Sequence, residues 1–221
     1  MATTLLLARH GESDWNRERR WQGHADRPLT DRGREQAAAL AARLADLPLD
    51  AVYSSDLRRA RETAAAVAGP RGLEVRQRPA LREVDVGGWS GLTREEVAER
   101  YPDAFREWEH GFAGWDDGET YRAMCERVVG EVLRIAANHD GRCVLVVAHG
   151  GPIRAIHAAA LGLDVHAYRR LRPAEPNARL SAVCAEDARL TAVRPAGRIG
   201  ELLAGEGPRP LEPERPPTPA G

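Results

Sequence analysis

The sequence predicts an α/β protein of three layers: helices on both faces of a mainly parallel sheet, with a small insertion over the carboxyl edge of the strands. Two observations carry that expectation. The runs Leu5-Leu6-Leu7-Ala8 and Val144-Leu145-Val146-Val147-Ala148 have the length and unbroken apolarity of strands buried on both faces. Such runs alternate with longer stretches of helical periodicity, which is the pattern of βαβ units. A chain of 221 residues fits one domain and can bury a substantial core. We assign residues 1–203 to that domain and 204–221 to a tail.

The elements follow in order. After the first strand comes a polar loop, Ser13-Asp14-Trp15-Asn16. Thr30-Asp31-Arg32-Gly33 starts a helix whose Ala- and Leu-rich body runs to Leu47. A short strand over 51–54 precedes Ser55 and Asp56, candidate caps for a helix over 57–67 that Gly69-Pro70 ends. A further strand is placed at 73–75. The stretch 82–117 breaks the rhythm with Trp89, Trp108, Trp115, Gly87, Gly88 and Gly91, and reads as an insertion lying over the sheet edge. A long helix over 120–139 presents Val128, Val129, Val132 and Ile135 on its apolar face. The strand at 144–148, a helix over 152–161 and a terminal strand or hairpin over 180–185 and 190–193 complete the domain. Six prolines and few apolar residues in 204–221 mark a disordered tail.

Composition excludes several classes. The formal net charge is −1, so the whole molecule offers no electrostatic case for nucleic acid or a membrane surface. All 32 Lys-plus-Arg positions are arginine, so an arginine cluster needs a spacing argument before it carries weight. Cys125, Cys143 and Cys184 are few and widely spaced, forming no disulfide framework and no metal-binding pair. That usage, with no leader segment and no run long enough to span a bilayer, gives the expectation of a cytoplasmic protein.

The chemistry lies at the strand ends. Arg9-His10-Gly11-Glu12 follows the first strand, and His149-Gly150-Gly151 follows the strand at 144–148. In an open parallel sheet ligands bind beyond the carboxyl ends, so parallel strands bring His10 and His149 to one edge. Neutral imidazole is a competent nucleophile and can carry a phosphoryl group covalently. That chemistry needs cations around the phosphoryl oxygens. Arg9 supplies one, and the strand-to-helix segment Ser54-Ser55-Asp56-Leu57-Arg58-Arg59-Ala60 supplies another at a helix start that favours anions. Glu83 and Asp85 are candidate proton donors to the leaving oxygen. A zinc site built on His10 and His149 lacks ligands at metal-site spacing. No metal and no cofactor are expected.

Five ordered motifs, Arg9-His10-Gly11-Glu12 with Asn16, Trp21-Gln22-Gly23, the segment from Ser54 to Ala60, Leu81-Arg82-Glu83 followed by Gly87 and Trp89, and Ala148-His149-Gly150-Gly151, resemble the histidine phosphatase superfamily. The similarity is to its metal-independent branch of phosphoglycerate-mutase-like phosphatases, over residues 4–193. The resemblance implies His10 as the nucleophile, Arg9 and Arg59 as the phosphate clamp, His149 as a donor to the phosphoryl oxygens and Glu83, rather than Asp85, as the acid. It implies phosphate contact by Asn16, a substrate-facing loop at Gln22 and Gly23, and a backbone donor at Gly150. Arg58 and Arg61 do not match the clamp.

Three functions fit that resemblance: a phosphatase acting on a small phosphomonoester, a mutase on the same catalytic core, and a module that only binds phospho-ligands. Every matched position holds the expected residue type, which disfavours the last. Glycolytic mutases of the family carry a longer, more basic insertion after the acid. Here the region is short and glycine-rich, Gly87-Gly88-Trp89-Ser90-Gly91, which points to the phosphatase branch. Sugar phosphates, phosphoglycerate derivatives and α-ribazole phosphate are candidate substrates by resemblance. Arg94, Arg106 and Arg154 are candidates for a second anionic group. A homodimer is the assembly that the resemblance suggests.

Overall fold

A computed structural model describes residues 1–111, 114–115, 117–172 and 174–192. Six strands form one sheet, β1 (Thr3–Arg9), β2 (Ala51–Ser54), β3 (Val75–Gln77), β4 (Cys143–Ala148), β5 (Leu180–Glu186) and β6 (Arg189–Ala192), in the order β3-β2-β4-β1-β5-β6. The first four positions run parallel, while β5 and β6 are antiparallel additions at one side. Of the strand or hairpin expected at the end of the domain, the structure forms the hairpin. Asp187 and Ala188 turn it with φ of 49° and 56°.

The sheet is apolar on both faces, as its unbroken strands require. Leu5, Leu7, Val144 and Val146 face one cluster, into which α6 (Tyr121–Ala137), α7 (Gly150–Ala160) and α8 (Val165–Leu171) pack Val128, Val132, Ile153 and Tyr168. Leu6, Ala8, Leu145 and Val147 face a second cluster, covered by Leu40 and Leu44 of α2 (Asp31–Leu44) and by Ala60, Ala64 and Val67 of α3 (Arg58–Ala68). These are the three expected layers.

Several local expectations shift. The loop at 13–16 closes into a four-residue helix, α1 (Asp14–Arg17), because Ser13 and Asn16 form a reciprocal capping box. The strand placed at 73–75 pairs instead as Val75–Gln77, an edge strand with little apolar patterning. Helix α3 begins after Leu57 without a side-chain cap: Asp56 turns away to Arg82, and Asp26 receives the Arg58 N–H at 2.5 Å. Helix α7 starts at Gly150, two residues earlier than expected, and α8 was not anticipated. The insertion contributes the 3₁₀ turn Gly87–Trp89, α4 (Arg94–Arg100) and α5 (Pro102–Glu109). Trp89 and Trp115 are buried there, and Trp21 meets Trp89 and Trp108 edge-on at 5.2 and 5.0 Å between ring centroids. The expected tail at 204–221 lies outside the described residues. Among the described residues no helix is long and apolar enough to cross a membrane.

The loop leaving β1 is pinned from both helices of one layer. The Gly11 N–H donates to Thr63 Oγ1 at 3.0 Å, and the Glu12 N–H to Gln36 Oε1 at 2.8 Å. The Thr30 hydroxyl, which caps α2, donates to the Glu12 carboxylate at 2.9 Å. So close is the approach that a Cβ on Gly33 would collide with the Glu12 carbonyl, and one on Gly11 with the Gly33 carbonyl. Glycine within a helix ordinarily costs up to about 1 kcal/mol relative to alanine. At this contact the sign reverses: Gly33→Ala is expected to destabilise by about 1–3 kcal/mol, the usual cost of overpacking. The shift of the urea midpoint at unchanged slope measures it.

Candidate active site

Strands β1 and β4 are adjacent and parallel, with Arg9 paired to Ala148, so the next residue of each is a histidine at the same edge. Strand β2 ends beside them with Ser54 opposite Val147, and it delivers α3 to that edge. The His10 and His149 rings meet edge-on with centroids 5.1 Å apart, and both side chains are buried.

Two one-directional partners set their tautomers. The Gly11 carbonyl lies 2.7 Å from His10 Nδ1 and can only accept, so Nδ1 carries the proton and Nε2 keeps its lone pair. Arg59 Nε–H can only donate, and it stands 3.2 Å from both His10 Nε2 and His149 Nδ1. The proton of His149 is therefore on Nε2, which has no hydrogen-bond partner among the described residues. One ring offers a base and the other a donor.

Arg59 sits in the first turn of α3 and is 1% exposed. One Nη1–H donates to the Ala25 carbonyl at 2.7 Å and one Nη2–H to the Gly23 carbonyl at 3.0 Å. Gly23 adopts φ of +48°, and a Cβ there would strike Val86, so glycine alone fits this turn. Burial pushes the Arg59 guanidinium down to about 10, still a cation at neutral pH, and burial likewise lowers Arg9. Burial first, then the charges of Arg59 and Arg9, hold His10 well below the ordinary imidazole value; burial and Arg59 do the same for His149.

Arg9, His10, Asn16, Gln22, Gly23, Arg59, Glu83 and Gly150 all line one cavity of about 440 Å³, with His149 directly behind. All nine sequence-derived candidates are thus brought together. Glu83 does not pair with its neighbouring arginines, since Arg82 binds Asp56 and Arg78 binds Glu131. Instead the Gly151 and Val84 N–H groups each donate to Glu83 Oε1 at 3.0 Å. Arg94 and Arg154 reach the cavity. Arg106 does not: it is exposed and paired with Asp103 on its own helix.

Three contributors escaped the sequence reading. Asn177 Nδ2 donates to the His10 carbonyl at 3.0 Å and to Asn16 Oδ1 at 3.2 Å, tying α1 to the end of β1. Gly151 leaves space for the acid candidate, because a Cβ there would collide with Glu83 Oε1 where it now stands. Arg127, on α6, donates to the Glu83 carbonyl at 2.8 Å. The His-Gly-Gly run was a signal for Gly151; nothing local marks the other two. Among the described residues no three His, Cys, Asp or Glu side chains are grouped as a metal site.

A family model described as histidine phosphatase superfamily (branch 1) matches residues 5–196. The chain belongs to the histidine phosphatase superfamily. It is 40% identical over 166 residues to phosphoserine phosphatase 1 of Hydrogenobacter thermophilus, covering 74% of this chain and 79% of that protein. It is 40% identical over 171 residues to glucosyl-3-phosphoglycerate phosphatase of Mycolicibacterium vanbaalenii, covering 73% and 75%. The solved structure of Bacillus stearothermophilus YhfR superposes with a TM-score of 0.81 at 32% identity, covering 89% of this chain and 99% of that one. This family member is a phosphatase, a phosphoric monoester hydrolase.

A free imidazole titrates near pH 6.5. Because the shifts of His10 and His149 are downward, their neutral forms persist below that pH. Histidine-selective NMR of the phosphatase at pH 6 is expected to show His10 neutral with its proton on Nδ1 and His149 neutral with its proton on Nε2. A protonated pair at that pH contradicts the electrostatics.

Proposed function

We propose that this phosphatase works through a phosphohistidine on His10, and that its substrates are small phosphomonoesters carrying a second anionic group. The single observation that carries the mechanism is the bridge of Arg59 Nε between His10 Nε2 and His149 Nδ1, with the His10 Nδ1 proton held by the Gly11 carbonyl. The Nε2 lone pair attacks phosphorus while the bond to the ester oxygen breaks. Glu83, in its acid form, gives that oxygen a proton. Arg9, Arg59, the His149 Nε2–H and the Gly150 N–H face the three phosphoryl oxygens, where preorganised donors are most effective. Water then attacks phosphorus, Glu83 takes its proton, and the P–N pair returns to Nε2 as phosphate leaves.

The substrate class rests on the outer half of the cavity. Arg20 is committed to Glu18, Glu96 and the Gly91 carbonyl, and Arg94 to Glu109 and the Phe105 and Trp108 rings. Arg154 lies one turn into α7 from Gly150 and Gly151, and its buried Nε has no hydrogen-bond partner. It is placed to receive a carboxylate or second phosphate. The two curated relatives support the reading, because phosphoserine and glucosyl-3-phosphoglycerate both carry a carboxylate.

Phosphate release from a panel including phosphoserine and 3-phosphoglycerate, in EDTA, tests both parts. His10→Ala is expected to abolish release and the acid-labile phosphoenzyme while remaining folded; an active His10→Ala protein overturns the mechanism. Isomerised phosphoglycerate without release would place the chain among the mutases. Glu83→Gln is expected to cost about 10²–10⁴-fold on phosphoserine, the usual worth of a general acid, and much less on p-nitrophenyl phosphate, whose leaving group needs no proton. Arg154→Leu is expected to raise KM for phosphoserine by about 10- to 100-fold, the worth of a charged hydrogen bond, with p-nitrophenyl phosphate little changed. Equal effects on both substrates would remove Arg154 from substrate recognition.

A further inference from the structure

Arg127 lies on α6, outside the cavity, yet its guanidinium is used to completion. Its five N–H groups meet five acceptors. Nε and Nη2 form a fork on the Glu119 carboxylate, both at 2.6 Å. Nη1 donates to the Ala80 carbonyl at 2.9 Å and the Arg82 carbonyl at 2.8 Å, and Nη2 donates to the Glu83 carbonyl at 2.8 Å. Three of the five bonds thus fall on the backbone that carries Glu83.

That backbone needs holding. Between the 3₁₀ turns Pro79–Leu81 and Gly87–Trp89, residues 82–86 have no regular structure, so no ladder fixes the chain. The Glu83 side chain is held from the other side by the Gly151 N–H of α7. Its carbonyl receives a second donor, His24 Nε2, at 2.9 Å. Glu119 is itself tied to the segment, its N–H donating to the Asp85 carbonyl at 2.9 Å. A carboxyl group that must meet a leaving oxygen within hydrogen-bond reach is therefore placed by two helices, α7 through the side chain and α6 through the main chain. Arginine suits this task because its planar fork offers donors in fixed directions, whereas lysine has three donors on one atom.

We propose that Arg127 is a positioning residue for the proton donor: it sets where the Glu83 carboxyl stands relative to the leaving group. The inference rests on Glu83 being the acid. It distinguishes Arg127 from a plain structural staple, because a misplaced acid harms reactions in proportion to how much they need a proton, whereas a loosened fold harms all of them alike. Misplacement by about 1 Å is worth about 10²-fold.

The test is kcat/KM across phosphomonoesters of rising leaving-group pKa, from p-nitrophenyl phosphate through less acidic aryl phosphates to the alkyl ester phosphoserine. It is run on the full-length wild-type enzyme, Arg127→Met, Arg127→Lys, Glu119→Gln, Glu83→Gln and the Arg127→Met/Glu83→Gln double variant, with thermal midpoints alongside. Arg127→Met is expected to lose about 10²-fold on phosphoserine and to stay within the same order of magnitude on p-nitrophenyl phosphate. The double variant should be no slower than Glu83→Gln alone, because an absent acid cannot be misplaced. Arg127→Lys should recover part of the loss, and Glu119→Gln, which keeps the three carbonyl bonds, should show a shallower version of the same slope. If Arg127→Met does not fold, these two variants carry the comparison. A uniform loss across leaving groups in the Arg127 and Glu119 variants, with a steep one in Glu83→Gln, overturns the positioning role and leaves Glu83 as the acid. A flat profile in Glu83→Gln itself removes the acid, and the role of Arg127 with it.

Discussion

The site depends on one buried cation. Arg59 is removed from water and, among the described residues, no carboxylate pairs with it. An isolated buried charge is costly unless its donors are satisfied. Here backbone carbonyls of the turn at Gly23 and Ala25 and two ring nitrogens take up three of its five N–H groups. The same charge disfavours protonation of the imidazoles it touches, so His10 keeps the lone pair that the proposed mechanism uses. With Arg9 close by and half-buried, the edge holds a surplus of positive charge around two neutral rings. A dianion entering the cavity finds its counter-charge in place, so little reorganisation remains for the transition state.

The sheet order explains why so few segments suffice. Strands β2, β4 and β1 are neighbours and parallel, so their carboxyl ends deliver Arg59, His149 and His10 to one place by backbone geometry alone. These residues need no further device to find each other. Glu83 has no such delivery. It comes from an irregular segment over the sheet edge, and it reaches the same point only through bonds from α6 and α7. The glycines follow that division: Gly11 and Gly33 permit close approach beneath His10, while Gly151 leaves room for Glu83.

This division also sets what the sequence made legible. Apolar runs ending in His-Gly mark strand ends, and the strand-to-helix segment at 54–60 marks the anion-binding turn. The three layers and the histidine pair were therefore readable from local pattern, and the family motifs named Glu83. Long-range contacts were not readable. Arg127 precedes an apolar helix face that looks like any other, and Asn177 lies in a loop with no motif around it. Helix periodicity did not reveal that Arg154 faces the cavity while Arg106 faces solvent, because that depends on which neighbour each helix packs against. The edge strand β3 and the four-residue α1 failed for a related reason. Each is too short to show a period, and α1 exists because of one capping box.

The two halves of the cavity differ in how firmly their charges are assigned, and that difference separates catalysis from selection. On the phosphoryl side each group is fixed by a backbone or ring partner. At the outer side Arg20 and Arg94 are neutralised by glutamates and by the aromatic wall, so they shape the opening more than they attract an anion. Arg154 alone among these three keeps a buried donor without a partner. It rises from the helix whose first turn lines the cavity and holds Glu83. On the proposed reading, a substrate whose second charge reaches Arg154 is aligned by the same rigid element that lines the phosphate end of the cavity and holds Glu83. Alignment of that kind lowers the entropic part of the barrier, so a group remote from the reacting atoms can contribute to rate as well as to affinity.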